Sequence, residues 1–147
     1  MVGLQIHLRA DDAEVKRVLA GLVRRGQDLT PAMDEIGSML VASTIDRFER
    51  ETGPDGRRWT PSQRVLKHGG QTLTDTGRLR SSITHRAGRN FVAVGTNVIY
   101  AAIHQLGGKA GRGHAADIPA RPYLGIDADD ETEILEILRD HLVGGLA

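Results

Sequence analysis

The sequence predicts an α+β fold in which a small antiparallel sheet packs against one long helix, with additional helices near both ends. Three observations support this prediction. Apolar residues recur at helical spacing for about five turns after residue 30. Two β-prone runs, residues 82–87 and 91–94, are joined by a short turn that indicates a hairpin. At 147 residues the chain can bury one core, so we expect a single domain over residues 1–147.

The N-terminal part predicts a strand followed by a helix. Residues 2–8 alternate apolar and polar side chains, which is typical of a half-buried strand. Asp11 and Asp12 supply an N-cap and first-turn acids for a helix that Gly26 ends. The apolar face of this helix comprises Val15, Val18, Leu19, Leu22 and Val23.

The second helix is predicted to be the longest. Thr30 is expected to be its N-cap and Pro31 its first helical residue. A tight turn is expected in the sequence Gly53-Pro54-Asp55-Gly56 that follows it. The apolar stripe comprises Met33, Ile36, Met39, Leu40, Ser43, Thr44 and Phe48.

The remaining elements are short, apart from a last helix. Residues 57–71 predict a surface loop with a short helix at 61–67. Residues 74–77 can cap a second short helix over 78–83. Residues 97–106 predict a short apolar helix or turn. Residues 106–118 contain four glycines, so we expect a flexible loop that is poorly ordered without a partner. Asp127 to Asp130 cap a final helix with the apolar stripe Ile134, Leu135, Ile137, Leu138 and Leu142.

The net charge of zero hides a division of charge along the chain. Residues 1–56 carry seven basic and ten acidic side chains, a charge of −3. Residues 57–121 carry eleven basic and two acidic side chains, a charge of +9, and residues 122–147 carry a charge of −6. Either the ends neutralise the middle across the fold, or the protein has one positive and one negative surface, as in a head-to-tail ring or stack.

No pattern of a catalytic, cofactor or metal site occurs, so we expect no enzyme, no cofactor and no metal. The chain has no cysteine, and its six histidines are scattered without a ligand-spaced pair. Ser82 with His85 as base lacks a nucleophile turn and an orienting acid, and the glycines at 107–113 lack a phosphate-loop pattern. His104, beside Tyr100, suits a hydrogen-bonded packing role.

The sequence also gives no sign of a membrane protein. No apolar run approaches the ~20 residues of a membrane span. The first residues have neither the basic lead nor the apolar core of a signal peptide. We therefore expect an intracellular protein that makes no membrane contact.

The basic central segment is expected to touch a partner. Arginine, tryptophan and tyrosine are favoured at protein–protein contacts, so a protein partner is the first interpretation. Phosphate binding by residues 57–121 is the alternative, which would make the chain a DNA-binding protein. For Trp59, a lid on the protein's own core is an equal alternative. The expected contact residues are Arg57, Arg58, Trp59, Arg112, Arg121 and Tyr123.

Five short motifs follow one another in a fixed order between residues 48 and 125. They are Phe48 with the turn that leads into Trp59; Leu73-Thr74-Asp75-Thr76-Gly77-Arg78-Leu79-Arg80-Ser81-Ser82-Ile83; Val94-Gly95; Tyr100-Ala101-Ala102-Ile103-His104-Gln105-Leu106-Gly107; and Ile118-Pro119-Ala120-Arg121-Pro122-Tyr123-Leu124-Gly125. In these motifs the chain resembles the phage virion morphogenesis family, the tail completion proteins of Mu-like tailed bacteriophages and related prophages. The stretch between Trp59 and Leu73 departs from the family pattern in being shorter and less lysine-rich.

The resemblance implies a structural protein without enzymatic activity, found in the virion and, during assembly, in the host cytoplasm. It implies an α+β protein that acts in tail completion or head–tail joining, at the end of the tail or at the neck. The expected partners are copies of the chain itself, in a ring that is expected to be hexameric, and the tail tube, tail terminator or neck and connector proteins.

Overall fold

The computed structural model describes residues 4–6, 13–24, 26 and 28–144, and for residues 4–6 and 142–144 it describes the backbone alone. The described elements form an α+β fold, as the sequence predicts. In chain order they are β1 (Leu4–Ile6), α1 (Ala13–Arg24), α2 (Thr30–Arg50), α3 (Gln63–His68), α4 (Arg78–Ser81), β2 (Thr84–Ala87), β3 (Val92–Thr96), α5 (Ala101–Leu106), β4 (Gly108–Ala110), a 3-10 turn (Arg112–His114), β5 (Ala116–Ile118) and α6 (Ala128–Gly144).

A three-stranded antiparallel sheet forms one layer, in the order β1-β3-β2. The predicted hairpin is confirmed, with His85 opposite Val94 and Ala87 opposite Val92. The predicted N-terminal strand is confirmed over Leu4–Ile6, which pairs with Val94 to Thr96. The predicted capping residues Asp11 and Asp12 lie outside the described residues.

Helix α2 is the centre of the fold: it packs against β2 and β3 of the sheet and against α6, and α6 in turn packs against α1. The predicted stripe is confirmed for its buried members Met33, Ile36, Leu40, Thr44 and Phe48, while Met39 and Ser43 are half-buried. The sheet approaches α2 closely at Gly37. A Cβ atom built there would lie 2.3 Å from the His85 ring, so only glycine fits without movement.

The start of α2 corrects the predicted cap. Asp28, not Thr30, is the side chain that accepts hydrogen bonds there: its Oδ1 lies 3.0 Å from the Thr30 amide and 2.8 Å from the Thr30 hydroxyl. The hydrogen bond from the Thr30 amide lowers the pKa of Asp28 most, and the bond from the Thr30 hydroxyl lowers it further. Thr30 is already helical, and its hydroxyl is a donor to Asp28.

Two other predictions need correction, and the bounds of a third element shift slightly. Residues 108–118 form an antiparallel hairpin, β4 with β5, in place of the flexible loop that the glycines indicated. Val23 is 58% exposed, because α1 turns only Val15 and Leu22 fully inward, with Val18 and Leu19 half-buried. The helix predicted at 61–67 is present one or two residues later, at Gln63–His68.

Helix α6 begins with a reciprocal cap. Asp127 Oδ1 accepts a hydrogen bond from the Asp130 amide at 2.8 Å, and Asp130 Oδ2 accepts one from the Asp127 amide at 3.1 Å. The predicted cap at this position is therefore confirmed. Burial opposes ionisation of Asp127, but the amide of Asp130 and the nearby Arg47 outweigh it, so the pKa of Asp127 is lowered.

Arg47 occupies a buried position on α2 and connects that helix to the cap of α6. Its side chain is 5% exposed, and Nη2 lies 2.6 Å from Asp130 and 3.3 Å from Asp127. Nη1 donates to the carbonyl oxygens of Tyr123 and Gly125, at 2.9 Å and 3.1 Å. One guanidinium therefore links the end of α2, residues 123–125 and the start of α6.

Replacement of Arg47 by Met should greatly lower the urea concentration at which the protein unfolds. The change leaves the buried Asp130 carboxylate unpaired, which costs about 3–5 kcal/mol of unfolding free energy. Urea unfolding followed by circular dichroism measures this loss. The matched control is Arg50→Met, because the exposed pair of Arg50 with Asp46 should contribute less than about 1 kcal/mol. Equal losses in the two variants would contradict the role assigned to Arg47.

Replacement of Asp127 by Asn should remove a pH-dependent part of the stability. Because the folded pKa of Asp127 is lowered, its ionised form contributes stability above the usual pKa of about 3.9, and this contribution is lost as pH falls through the folded pKa. Asparagine retains the capping oxygen. Unfolding free energies measured from pH 7 to pH 2 should show the two proteins converging at acid pH. A constant difference would show that the charge is not responsible.

Candidate assembly interface

Residues 119–125, called here the corner segment, are held by an aromatic cluster. The Trp59 indole Nε1 donates to the Pro122 carbonyl at 2.8 Å, and the Tyr123 hydroxyl donates to the Ala101 carbonyl at 2.8 Å. The Phe48 ring lies between them, 5.5 Å from Trp59 and 5.2 Å from Tyr123. Burial raises the pKa of Tyr123, so its phenol stays protonated and continues to donate.

Helix α5 holds the corner segment from the other side. The buried Gln105 accepts hydrogen bonds from the amides of Tyr123 and Leu124 at 3.0 Å each, and donates to the Leu124 carbonyl at 3.0 Å. Gly107 follows with φ +72°, and a Cβ there would lie 2.7 Å from the Ala120 nitrogen. The motif Tyr100 to Gly107 therefore fixes the path of the corner segment.

Three of the six expected contact residues are interior. Trp59 is 6% exposed, Arg121 6% and Tyr123 0%. For Trp59 this agrees with the alternative of a lid on the protein's own core. Trp59 and Tyr123 therefore leave almost no surface for a partner, whereas Arg121 lines an open pocket and its contact with a partner stays a prediction.

A basic pocket opens beside the buried Arg121. Its walls carry Arg64, Arg78, Tyr100 and His104 together with Arg121, and it has a volume of about 370 Å³. Arg78 lies over the Tyr100 ring, 6.0 Å from its centroid. Of the described acidic side chains only Asp75 lines the pocket; it lies 3.9 Å from Arg64 and is 74% exposed, so it compensates little charge.

The charge of Arg121 has no carboxylate partner among the described residues. Nε donates to the Thr60 carbonyl at 2.6 Å, and in the described structure Nη1 and Nη2 have no hydrogen-bond acceptor. Burial lowers the pKa of this guanidinium. Burial, and then Arg121 itself, also lowers the pKa of His104. Nδ1 of His104 is enclosed without a partner, which corrects the expected hydrogen-bonded role of this histidine.

Several large apolar side chains are exposed at residues that line this pocket or are close to lining residues along the chain. Tyr100, which lines it, is 40% exposed, and the adjacent Ile99 is 75% exposed. Leu106, at the end of α5, is 68% exposed, and Leu66, on α3, is 66% exposed. Exposed aromatic and aliphatic groups beside arginines are the usual composition of a protein-binding surface.

A second, acidic cleft lies between the C-terminal half of α2, the turn at 52–56 and the start of α6. Among the described residues, six carboxylates and two arginines line it, and its volume is about 560 Å³. Both arginines are paired within the chain, Arg47 with the α6 cap and Arg50 with Asp46. The acidic cleft and the basic pocket share no lining residue.

Salt bridges within the fold pair only some of the basic side chains of residues 57–121 with acidic side chains elsewhere in the chain. Arg58 and Arg80 of the basic segment pair with Glu51 and Glu49 at the end of α2. Within the described part of the chain, no salt bridge joins residues 57–121 to α6. Four exposed acids of α6 have no ion pair or hydrogen bond among the described residues: Asp129, Glu133, Glu136 and Asp140.

The other expected contact residues are exposed arginines. Arg57 is 89% and Arg58 79% exposed, and their pairs with Asp55 and Glu51 are long, at 3.8 Å and 4.0 Å. Arg112 lies in the 3-10 turn at the tip of the β4–β5 hairpin and is exposed. None of the three lines the basic pocket.

The structure does not assemble the Ser82 and His85 pair considered from sequence. Ser82 Oγ lies 2.6 Å from Thr96 Oγ1 and donates to the Leu79 carbonyl at 2.6 Å. His85 Nε2 lies 2.8 Å from Asp34, an acid that sequence reasoning missed. Hydroxyl and imidazole therefore bond to different partners.

No group of three or more potential metal-ligating side chains occurs among the described residues. No helix among them has the length and apolar character required to cross a membrane.

The sequence profile of the phage virion morphogenesis family matches residues 10–143. The chain belongs to this family. The match includes the corner segment, the basic pocket and the acidic cleft. Membership in this family supports a structural role in phage assembly.

Relatives in this family come from Mu-like elements. The chain is 40% identical over 129 residues to Mu-like prophage FluMu G protein 2 of Haemophilus influenzae, covering 87% of this chain and 88% of that protein. It is 35% identical over 138 residues to putative capsid assembly protein G of Escherichia phage Mu, covering 78% of this chain and 88% of that protein. A third relative, Mu-like prophage FluMu G protein 1 of Haemophilus influenzae, is 27% identical over 150 residues, 95% of this chain and 96% of that protein. No solved structure matches the chain significantly.

Replacement of Gln105 by Leu should destabilise this family member strongly. It leaves the amides of Tyr123 and Leu124 and one carbonyl unpaired in the interior, and each such group costs about 1–3 kcal/mol. Thermal and urea unfolding should show a loss of at least about 2 kcal/mol. The matched control, Gln63→Leu at the exposed start of α3, should change stability by less than about 0.5 kcal/mol. Similar effects in both would contradict the role of Gln105.

Proposed function

We propose that the chain is a structural subunit that completes the phage tail or joins it to the head, by forming or binding a ring at the tail end or neck. The observation that carries the proposal is the presence of a basic pocket and a separate acidic cleft on one subunit. A ring requires heterologous contacts, in which one surface of each subunit meets a different surface of the next. Two surfaces of opposite charge meet this requirement.

The relatives support a position where capsid and tail meet. The phage Mu relative is named a putative capsid assembly protein, and family membership gives this chain a role in virion morphogenesis. The neck belongs to both structures. The proposed partners are copies of this chain, in a hexameric ring as the resemblance implies, and tail tube, tail terminator or connector proteins. The subunit would then reside in the virion after assembly in the host cytoplasm.

The exposed arginines are the proposed contacts with these other phage proteins. Arg57 and Arg58 follow the turn at 52–56, and Arg112 lies at a hairpin tip, where side chains are accessible to a large partner. Their intrachain pairs are long and exposed, so forming an intermolecular pair would cost little.

Binding of duplex DNA is the second candidate, and the unneutralised arginines of residues 57–121 are the observation that favours it. Phosphate contacts make affinity fall steeply with salt. Fluorescence anisotropy of a labelled duplex, titrated from low to high salt, therefore tests it. Absence of binding at low salt would eliminate this candidate.

Loss of the protein should stop particle assembly at one step. Deletion of the gene from the encoding phage or prophage should leave capsids and tails unjoined or tails unfinished in electron micrographs, and the wild-type gene in trans should restore particles. Normal particles from the deletion would contradict the proposed function.

Charge reversal should then separate contact residues from the rest. Arg57→Glu with Arg58→Glu, or Arg112→Glu alone, should lower the yield of complete particles at least about tenfold, because a charged contact becomes repulsive. Arg17→Glu, on the exposed side of α1, is the matched control and should restore particles fully. Equal complementation by all variants would exclude these arginines as contacts.

A further inference from the structure

The two arginines that are buried among the described residues, Arg47 and Arg121, are compensated differently. Arg47, 4% exposed, has two carboxylates within 3.3 Å. Arg121, 6% exposed, has none in the described structure and lines an open pocket with two more arginines. A buried charge is costly unless it is paired. The Nη1 and Nη2 atoms of Arg121 are not enclosed and lie on an open pocket, so an anion from outside the chain can reach them.

From this we infer that the basic pocket receives carboxylate side chains of a second copy of this chain, supplied by the exposed acidic face of α6. The inference rests on the proposed ring and names one of its contacts. A guanidinium presents a planar pair of N–H donors that fits a carboxylate with two parallel hydrogen bonds. The unpaired Nη1 and Nη2 groups of Arg121, with Arg78 beside them, offer such donors.

The surroundings of the pocket favour a protein over a nucleic acid. Tyr100 lines the pocket and is 40% exposed, and its chain neighbour Ile99 is 75% exposed. A phosphate backbone would leave these groups uncovered by apolar atoms, whereas a protein surface can bury them. Arg78 stacks on Tyr100, the aromatic–arginine combination that is common in strong protein contacts.

The acidic face of α6 matches the pocket in charge and accessibility. Asp129, Glu133, Glu136 and Asp140 are exposed and recur at the three- and four-residue spacing of one helix face. They have no ion pair among the described residues, so no intrachain bond has to break when a partner arrives. Like-charged carboxylates on one helix face repel one another, and an external cation relieves this repulsion.

The position of the two surfaces allows the contact to repeat. The acidic cleft, which Asp129 and Glu133 line, and the basic pocket have no lining residue in common. A subunit whose pocket is occupied therefore still presents its own α6 to a third copy. Such head-to-tail contacts close into a ring when the rotation between neighbours allows it.

The test uses two full-length charge-reversal variants, Arg78→Glu in the pocket and Glu133→Lys on α6. Both side chains are exposed, so the fold should persist, and circular dichroism melting checks this. Size-exclusion chromatography with light scattering measures self-association of each protein. Each variant alone should associate at least about tenfold more weakly than wild type. The matched control is Arg89→Glu, exposed in the β2–β3 turn and outside the pocket, which should associate like wild type.

Mixing the two variants gives the decisive result. Arg78→Glu retains an intact α6 face and Glu133→Lys an intact pocket, so equimolar mixing should produce dimers that grow no further. Wild-type association of Arg78→Glu, or absence of mixed dimers, overturns this inference while a ring remains. A wild-type protein that is strictly monomeric overturns the ring and the inference together. Loss of duplex DNA binding in Arg78→Glu with unchanged self-association would make the pocket a phosphate site instead.

Discussion

The buried charge of Arg47 is the constraint on which the rest of the structure depends. It interrupts the apolar face of the central helix, so the fold must bring acceptors to it. The Tyr123 and Gly125 carbonyls and the Asp127 and Asp130 carboxylates meet this need. Pairing the two Nη groups of Arg47 therefore fixes where the corner segment passes and where α6 begins, and with them the walls of the acidic cleft.

The corner segment links the Arg47 site to the basic pocket. Its backbone is held by Arg47, Trp59 and Gln105, and this places Arg121 against the Thr60 carbonyl at the edge of the basic pocket. Trp59 and Tyr123 thus have a structural role in this chain. Both are buried, and both hold the segment that presents Arg121 to the basic pocket.

Much of the fold follows from local pattern, because periodicity and capping are properties of neighbouring residues. The stripe of α2, the hairpin and the Asp127 cap were predicted on this basis. The inward direction of Trp59 depends on the Pro122 carbonyl, which is distant along the chain. The pairing of β4 with β5 is local, but its signal in the sequence is weak because glycines have little strand propensity. One missed signal was available: Arg47 lies one residue before Phe48 on the buried side of a predicted helix, which predicts a buried ion pair.

The absence of native cysteine permits a direct test of the head-to-tail arrangement. A variant with Thr76→Cys in the pocket wall and Thr132→Cys beside the acidic residues of α6 carries one thiol on each proposed surface. Under mild oxidation, the account predicts a ladder of covalent multimers on non-reducing gels that ends at the ring size, with the single-cysteine variants giving at most dimers. A double variant that stays monomeric, or stops at dimers like the single variants, would contradict the account.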